Sequence, residues 1–335
     1  MAQTGFENKN VLITGGAGFI GSNLAARLVS LGANVVLVDS FIPEYGGSLF
    51  NISGIAQQVS LNISDVRDEH SMRRLIENQD YLFNLAGQTS HLDSMKNPYP
   101  DLDINVRAQL FILEACREYN PNIKIVFAST RQVYGKPQYL PVDERHPISP
   151  VDVNGINKVA GEWYHLVYNN VYGIKASVLR LTNTYGPRMR VKDSRQTFLG
   201  IWIRRLIENH PILVYGDGMQ VRDFNYVDDV VDAMLLAAES DEANGKVYNL
   251  GADDPINLRD TAELMVALHE SGAYQVVPFP DDLKRIDIGD YYGDYALIHA
   301  QLGWKPNTPL AVGLKKTLAY YHRFHRHYWE AEDGS

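Results

Sequence analysis

Between residues 10 and 40 the chain reads NVLITGG, GSNLAARLVSLG and NVVLVDS. An apolar run ends in glycines, a helical pattern stops at Gly32, and a second apolar run follows. That order fits a strand–helix–strand unit. Uninterrupted runs of β-branched and apolar residues are buried on both faces, which requires a parallel sheet with helices on each side. The alternation continues. SMRRLIENQ (71–79) reads as a helix and YLFNLAG (81–87) as a strand. NVRAQLFILEACREY (105–119) is a helix, KIVFAST (124–130) a strand, 155–170 a helix and KASVLRLTN (175–183) a strand. The expected fold class is α/β, a doubly wound parallel sheet. After Gly186 the rhythm changes to a Pro/Arg loop, a helix near 196–209, short strands such as ILVYGDG, a helix near 228–239 and a helical, Tyr/His-rich end. A smaller, mixed C-terminal lobe packed directly on the first is expected there.

The glycines after the first strand are Gly15, Gly18 and Gly21. Following a strand and opening a helix, they permit a tight turn and let a pyrophosphate reach the backbone at a helix N-terminus. Phe19 and Ile20 lie inside this loop and are counted with the cofactor-binding residues. Asp39 closes the second strand, where a carboxylate accepts the adenosine-ribose hydroxyls and repels a 2′-phosphate. No arginine is near it in sequence, so NAD rather than NADP is expected. Asp65 and Val66 follow the third strand, where an adenine amino group can be gripped. A helix N-cap is the equal alternative for Asp65. The lobe boundaries expected are 1–183 with about 220–260 for the Rossmann-type NAD-binding part, and about 184–219 with 261–335 for the other.

Composition narrows the partners. The 335-residue chain carries a net charge of −9, which disfavours nucleic acid. A single cysteine, Cys116, in the apolar stretch LFILEACREY, rules out an internal disulfide and reads as a buried structural thiol. No signal-peptide pattern and no run of eighteen apolar residues is seen, so a cytoplasmic protein with no membrane partner is expected. No metal ligand is assigned.

Further motifs carry a resemblance. TGGAGFIG, FNLAGQTS, FASTRQVYG, RLTNTYGPR, VYGDGMQVRDFNYVDDVVDA, YNLG and LGWKP occur in that order. Together they resemble the extended short-chain dehydrogenase/reductase family, in particular its nucleotide-sugar epimerases and dehydratases, over almost the whole length. The resemblance implies NAD held in the larger lobe, with Leu85, Ala86, Gly87 and Gln88 at the strand end that covers it. It implies a nucleoside-diphosphate sugar in the cleft and a homodimer. Arg222 and Arg285 match the phosphate clamps, Arg188 more weakly, and Asn183 matches a diphosphate-side position. Bidentate guanidinium–phosphate pairing suits these arginines physically. Gln88 and Arg131 are further substrate-side candidates. The helices 105–119 and 155–170 are apolar around much of their circumference, with Leu110, Phe111 and Leu113 on one and Trp163, Tyr164 and Tyr168 on the other. A monomer buries one stripe only, so a homodimer through these helices is expected.

In that family a tyrosinate, tuned by a lysine, removes a sugar hydroxyl proton while hydride passes to NAD, giving a keto-sugar; a Ser or Thr bonds the same oxygen. Thr130 and Lys158 match the Thr and Lys. The tyrosine position, four residues before the lysine, is Asn154. Arg131 and Gln132 stand where dehydratases carry an acid and a base, and neither cycles a proton at neutral pH. The glutamate of decarboxylating relatives is absent from this turn too. Epimerisation through a keto-sugar is therefore the expected reaction. Three readings of Asn154 stay open: proton transfer by Lys158, His91, Tyr134 or Tyr185; a tyrosine replaced to trap a complex; or a protein that binds NAD and a nucleotide sugar without turnover.

Overall fold

The computed structural model describes residues 5–193 and 197–329. β1 (Asn10–Thr14) leads into α1 (Phe19–Ser30) and β2 (Asn34–Asp39). A short α2 (Leu49–Ile52) precedes β3 (Val59–Ile63), α3 (Glu69–Ile76) and β4 (Tyr81–Asn84). Two short helices follow, α4 (His91–Lys96) and α5 (Pro98–Leu102). A π-helical turn, Asp103–Arg107, then joins α5 to α6 (Ala108–Tyr119). So the helix expected from 105 opens irregularly. β5 (Lys124–Thr130), α7 (Val153–Tyr172), β6 (Lys175–Leu181) and β7 (Asn183–Tyr185) complete the first half.

The second half brings α8 (Phe198–Ile207), β8 (Ile212–Tyr215), β9 (Val221–Arg222), β10 (Phe224–Tyr226), α9 (Val227–Glu239) and β11 (Val247–Asn249). β12 (Ile256–Asn257), α10 (Leu258–His269), β13 (Tyr274–Val277), α11 (Asp281–Arg285), α12 (Ala296–Leu302) and α13 (Leu310–Phe324) follow.

Seven strands form one parallel sheet in the order β11-β6-β5-β4-β1-β2-β3. The chain leaves β1 toward β3, then returns to β4 on the other side. Thr14 is level with both Val38 and Asn84, so a crevice opens where the direction reverses, at the carboxyl ends of β1 and β4. Leu24 and Leu28 of α1 and Val230, Val231 and Met234 of α9 cover one face of the sheet. Met72, Ile76, Ile112, Leu113 and Tyr168 cover the other. Cys116 is buried in that second layer, and burial pushes its thiol far above the ordinary range, as befits an inert core residue.

A separate core gathers Leu199, Trp202 and Ile203 of α8, Ile212 of β8, Met265 of α10 and Leu318 and Tyr321 of α13. It lies beside the carboxyl ends of the large sheet and walls the crevice. Small two-stranded sheets, β10-β7, β12-β9 and β13-β8, brace it. No helix among the described residues is long and apolar enough to cross a membrane.

Candidate active site

The crevice widens into a cavity of about 820 Å³, the size of a cofactor-and-substrate site. Its floor is the turn after β1. Gly15 has φ +67°, and a Cβ there would crowd the Ala86 backbone at 3.2 Å. A Cβ on Gly21 would overlap the Gly15 carbonyl. Turn, α1 and the end of β4 are therefore packed without a side chain between them. The N-terminus of α1, at Gly18, has no side-chain cap, so its first N–H groups remain for a ligand. Thr14 fixes the other rim: its Oγ1 accepts from Leu85 N (3.0 Å) and Ala86 N (3.1 Å) and donates to Asn84 Oδ1 (2.9 Å). A backbone cradle, a bare helix end and a carboxylate at the tip of β2 fit a dinucleotide.

Asp39 lines the cavity. Burial raises its carboxyl, against the hydrogen bonds it accepts from Phe41 N (3.0 Å) and Ala17 N (3.1 Å). Asp65 and Val66 also line it. Asp65 is not a helix cap; Asp68 caps α3 by accepting from His70 N and Ser71 N. Asp65 instead holds Arg67 in a bidentate pair at 2.7 and 2.9 Å. Burial opposes ionisation of Asp65, but the arginine outweighs it and holds the carboxyl low.

Thr130, Lys158 and Asn154 are brought together on the wall above the cradle. Thr130 ends β5 and accepts from Gln132 N (3.2 Å). Lys158 is buried, donates to Ala128 O (3.1 Å) and lies 5.0 Å over the Phe127 ring. Burial brings its ammonium down to about 8, although Asp101 and Glu162 pull the other way. Asn154 donates through Nδ2 to Gln88 O (2.8 Å) and to Asp101 Oδ2 (2.8 Å). Asp101, fully buried, also accepts from Asn157 (2.7 Å) and Asn105 (3.0 Å). Three amides thus solvate one buried carboxylate behind the site.

The other sequence candidates separate clearly. Phe19, Ile20, Gly18, Leu85, Ala86, Gly87, Arg131, Asn183 and Arg222 line the same cavity. Gln88 does not. Its side chain turns to Ser90 O (3.0 Å), and its carbonyl serves Asn105 and Asn154. Arg188 is off the wall, donating to Asn23 Oδ1 (2.7 Å) from a left-handed backbone position, φ +71°. Arg285 ends α11 and is exposed; its neighbours Leu283 and Ile286 line the cavity instead. Tyr134 is taken up below the site. Its hydroxyl donates to Asn249 Oδ1 (2.7 Å) and accepts from Arg180 (2.7 Å), and burial pushes it up to about 12. Tyr185 is buried in the second core and bonds Leu310 O (3.3 Å). Neither tyrosine lines the cavity.

Arg131 and Arg222 are the two guanidinium groups deep in the wall. Arg131 donates to Asn183 Oδ1 (3.2 Å) and stacks over Tyr291 at 5.0 Å, while its second terminal nitrogen is buried without a partner. Arg222 is anchored by Val221 O (2.8 Å), Gly289 O and Asp287 (3.3 Å). Burial, then the charge of Arg131, brings it down to about 10. At the far end the Tyr215 and Phe279 rings stand 5.9 Å apart. The sequence reading passed over Thr14, Asp101, Tyr215 and Phe279. The Asn154/Asn157 pair, three residues apart on one helix face, was a signal that a buried acceptor lay opposite.

Such a cavity, at the switch point of a doubly wound sheet and with a Thr and a Lys beside the cradle, defines a dinucleotide-dependent enzyme. The chain belongs to the NAD dependent epimerase/dehydratase family, whose model matches residues 11–251. A relative from Methanocaldococcus jannaschii, provisionally designated a UDP-glucose 4-epimerase, is 34% identical over 92% of this chain and 97% of its own. The UDP-glucose 4-epimerase of Thermotoga maritima, solved with UDP-glucose, superposes with a TM-score of 0.87 at 30% identity, covering 94% of this chain and 99% of that one. The UDP-glucose 4-epimerase of Thermus thermophilus, solved as its complex with NAD, gives 0.83 at 29% identity, covering 93% and 98%. The cofactor is NAD, as Asp39 led one to expect.

Proposed function

We propose that the protein is an NAD-dependent epimerase of a nucleoside-diphosphate hexose, working through a transient keto-sugar, with a proton-transfer step that does not use a tyrosine. One observation carries this reading: a single cavity holds the glycine cradle, Thr130 with Lys158, and the buried guanidinium groups of Arg131 and Arg222. The lobe of residues 1–183 with about 220–260 holds the dinucleotide, and about 184–219 with 261–335 holds the sugar nucleotide.

Bound NAD supplies the hydride acceptor and donor. The turn from Gly15 to Gly21 and the N-terminus of α1 take the pyrophosphate; Asp39 takes the ribose hydroxyls. Lys158, with its ammonium near neutrality in a buried position, sits where it orients the nicotinamide half and assists proton loss. Thr130 has its hydroxyl proton to give to the sugar oxygen, because among the described residues its hydroxyl bonds only as an acceptor. Arg131 has no carboxylate in ion-pair contact among the described residues, and an anion of the ligand restores the balance that burial removed. Arg222 and Asn183 share that task, and the Tyr215–Phe279 pair offers a stacking platform for the base. Arg131 and Gln132 leave the dehydration branch without its acid and base.

The face of α7 away from the cavity supports a homodimer. Ile156, Trp163, Val167 and Val171 are exposed along it, and Leu110 of α6 is exposed too. A cytoplasmic setting belongs to the same reading.

The test is to purify the protein with its dinucleotide and offer UDP-glucose, UDP-glucuronate, UDP-N-acetylglucosamine and dTDP-glucose. Reduced-nicotinamide absorbance and proton NMR of the sugar are followed. Transient reduction with inversion of one carbon is expected. Binding by calorimetry with neither signal would sink the enzyme reading and leave a binding protein.

A further inference from the structure

The sugar hydroxyl proton needs an acceptor, and Asn154 cannot be it. Its amide protons are committed to Gln88 and Asp101. Tyr134 and Tyr185 are excluded by burial and by position. One histidine lines the cavity among the described residues, His91 at the start of α4. Its Nδ1 lies 2.9 Å from Oδ2 of Asp152. The pair is a close contact in which Nδ1 makes no formal hydrogen bond; such contacts tighten when a substrate binds.

Asp152 is a firm anchor for that ring. It is buried and caps α7, accepting from Gly155 N (2.7 Å) through Oδ1. Its Oδ2 also accepts from Gln132 Nε2 (3.1 Å). Burial works against its charge, but His91 and these bonds outweigh it and keep the carboxyl low. An ionised carboxylate on Nδ1 keeps the proton there and leaves the Nε2 lone pair for chemistry. The same Gln132 that Asp152 grips by its side chain is gripped by Thr130 at its backbone N (3.2 Å). One residue therefore ties the imidazole's anchor to the hydroxyl expected to bond the sugar oxygen.

We propose that His91 is the acid–base residue of the reaction and Asp152 its positioning residue; this rests on the epimerase reading above. The sugar O–H bond breaks and its proton joins Nε2. The oxygen's electron pair becomes the second C–O bond as the carbon's hydrogen leaves with its pair to the oxidised dinucleotide. The return step reverses each transfer, so His91 ends neutral. Asp93 and Lys96 of its own helix and Lys158 of α7 line the cavity with His91, and Asp152, the N-cap of α7, is in contact with the imidazole.

The test uses the full-length protein with its NAD and the nucleotide sugar from the panel above that turns over. His91→Asn is expected to lower kcat about 100-fold or more with little change in KM. Asp152→Asn keeps a capping oxygen and loses the charge, so it is expected to lower kcat with little change in KM. In nitrogen-15 histidine NMR without sugar, the resonances lost in His91→Asn should show the Nδ1–H tautomer in the wild type and lose that preference in Asp152→Asn. A His91→Asn enzyme keeping more than a tenth of kcat overturns the proposal and leaves the epimerase reading standing. So does a His91 tautomer unmoved by Asp152→Asn. A wild-type protein that turns over none of the sugars overturns both.

Discussion

Asn154 and Lys158 sit on one helix face and answer to the same buried charge. Asn154 hands Asp101 an amide proton at 2.8 Å, and Asp101 in turn favours the charged form of Lys158. Asn154→Asp would set a second carboxylate against the first and delete the donor. Leaving such a pair unrelieved costs about 3–5 kcal/mol, so the urea midpoint of this variant should fall steeply, and an unchanged midpoint would mean the cluster bears no weight. Lys158 contributes with the opposite sign. Its pKa is about 8 folded, against an ordinary value of 10.5. Below about pH 8 both states carry the proton, and the full cost of burying it is present. Between there and the unfolded value, the folded state sheds a proton that the unfolded chain keeps, so stability rises with pH. Lys158→Met should therefore be more stable than wild type by about 2–3 kcal/mol at pH 7. That gain should disappear by the ordinary lysine pKa, read from denaturant curves at several pH values. The sequence exposed Asn154 as a departure from its motif because the lysine is near in the chain. It did not expose Asp101, which lies 53 residues away, because only tertiary packing joins them.

At the scale of the elements, the proposed function puts the cofactor on the strand–turn–helix unit at residues 10–30, whose critical joint is a glycine contact. A methyl on Gly21 would overlap the Gly15 carbonyl and press on Gly16, so Gly21→Ala must push α1 away from the turn. We expect the variant to fold with its sheet intact but to lose at least tenfold, about 1.4 kcal/mol or more, in affinity for NADH, measured by nicotinamide fluorescence. Equal affinity would separate this turn from cofactor binding. This unit was legible because period, glycine spacing and the carboxylate at Asp39 all pointed one way. The strands and long helices of the first 183 residues were legible for the same reason. The second half was less so. α10 and α12 were passed over, and the strands around them are two to four residues long. Such strands hold by pairing and by a shared core rather than by local pattern. The wall of the site was read unevenly for a related reason. Arg222, inside a β-ladder, came to the cavity, while Arg188 and Arg285, on a strained turn and an exposed helix end, did not.

For the whole molecule, the proposed function makes α7 the element that joins chemistry to assembly. Its first two turns and cap supply Asp152, Asn154 and Lys158, and its opposite side leaves Ile156, Trp163, Val167 and Val171 exposed. Single exposed apolar residues need no explanation, but four along one helix face make an apolar stripe, and Leu110 of α6 is exposed as well. A second copy presenting the same stripe would cover it with matched shape by two-fold symmetry. Trp163, 56% exposed, is the largest side chain on the stripe and the anchor to remove. Sedimentation of the wild type should show a dimer at micromolar concentration, and Trp163→Glu with Val167→Glu should show a monomer. The double variant puts charge where the two stripes would meet, so its effect on association is direct. Its effect on turnover reads out something else. If α7 holds Asp152 and Lys158 by its own cap and core contacts, the monomer keeps its NAD and most of its rate. If the rate falls with dissociation while NAD stays bound, the partner helix is needed to keep the catalytic end of α7 in register. A wild-type protein that sediments as a monomer would remove the dimer from the account and leave the exposed stripe to be explained by another partner.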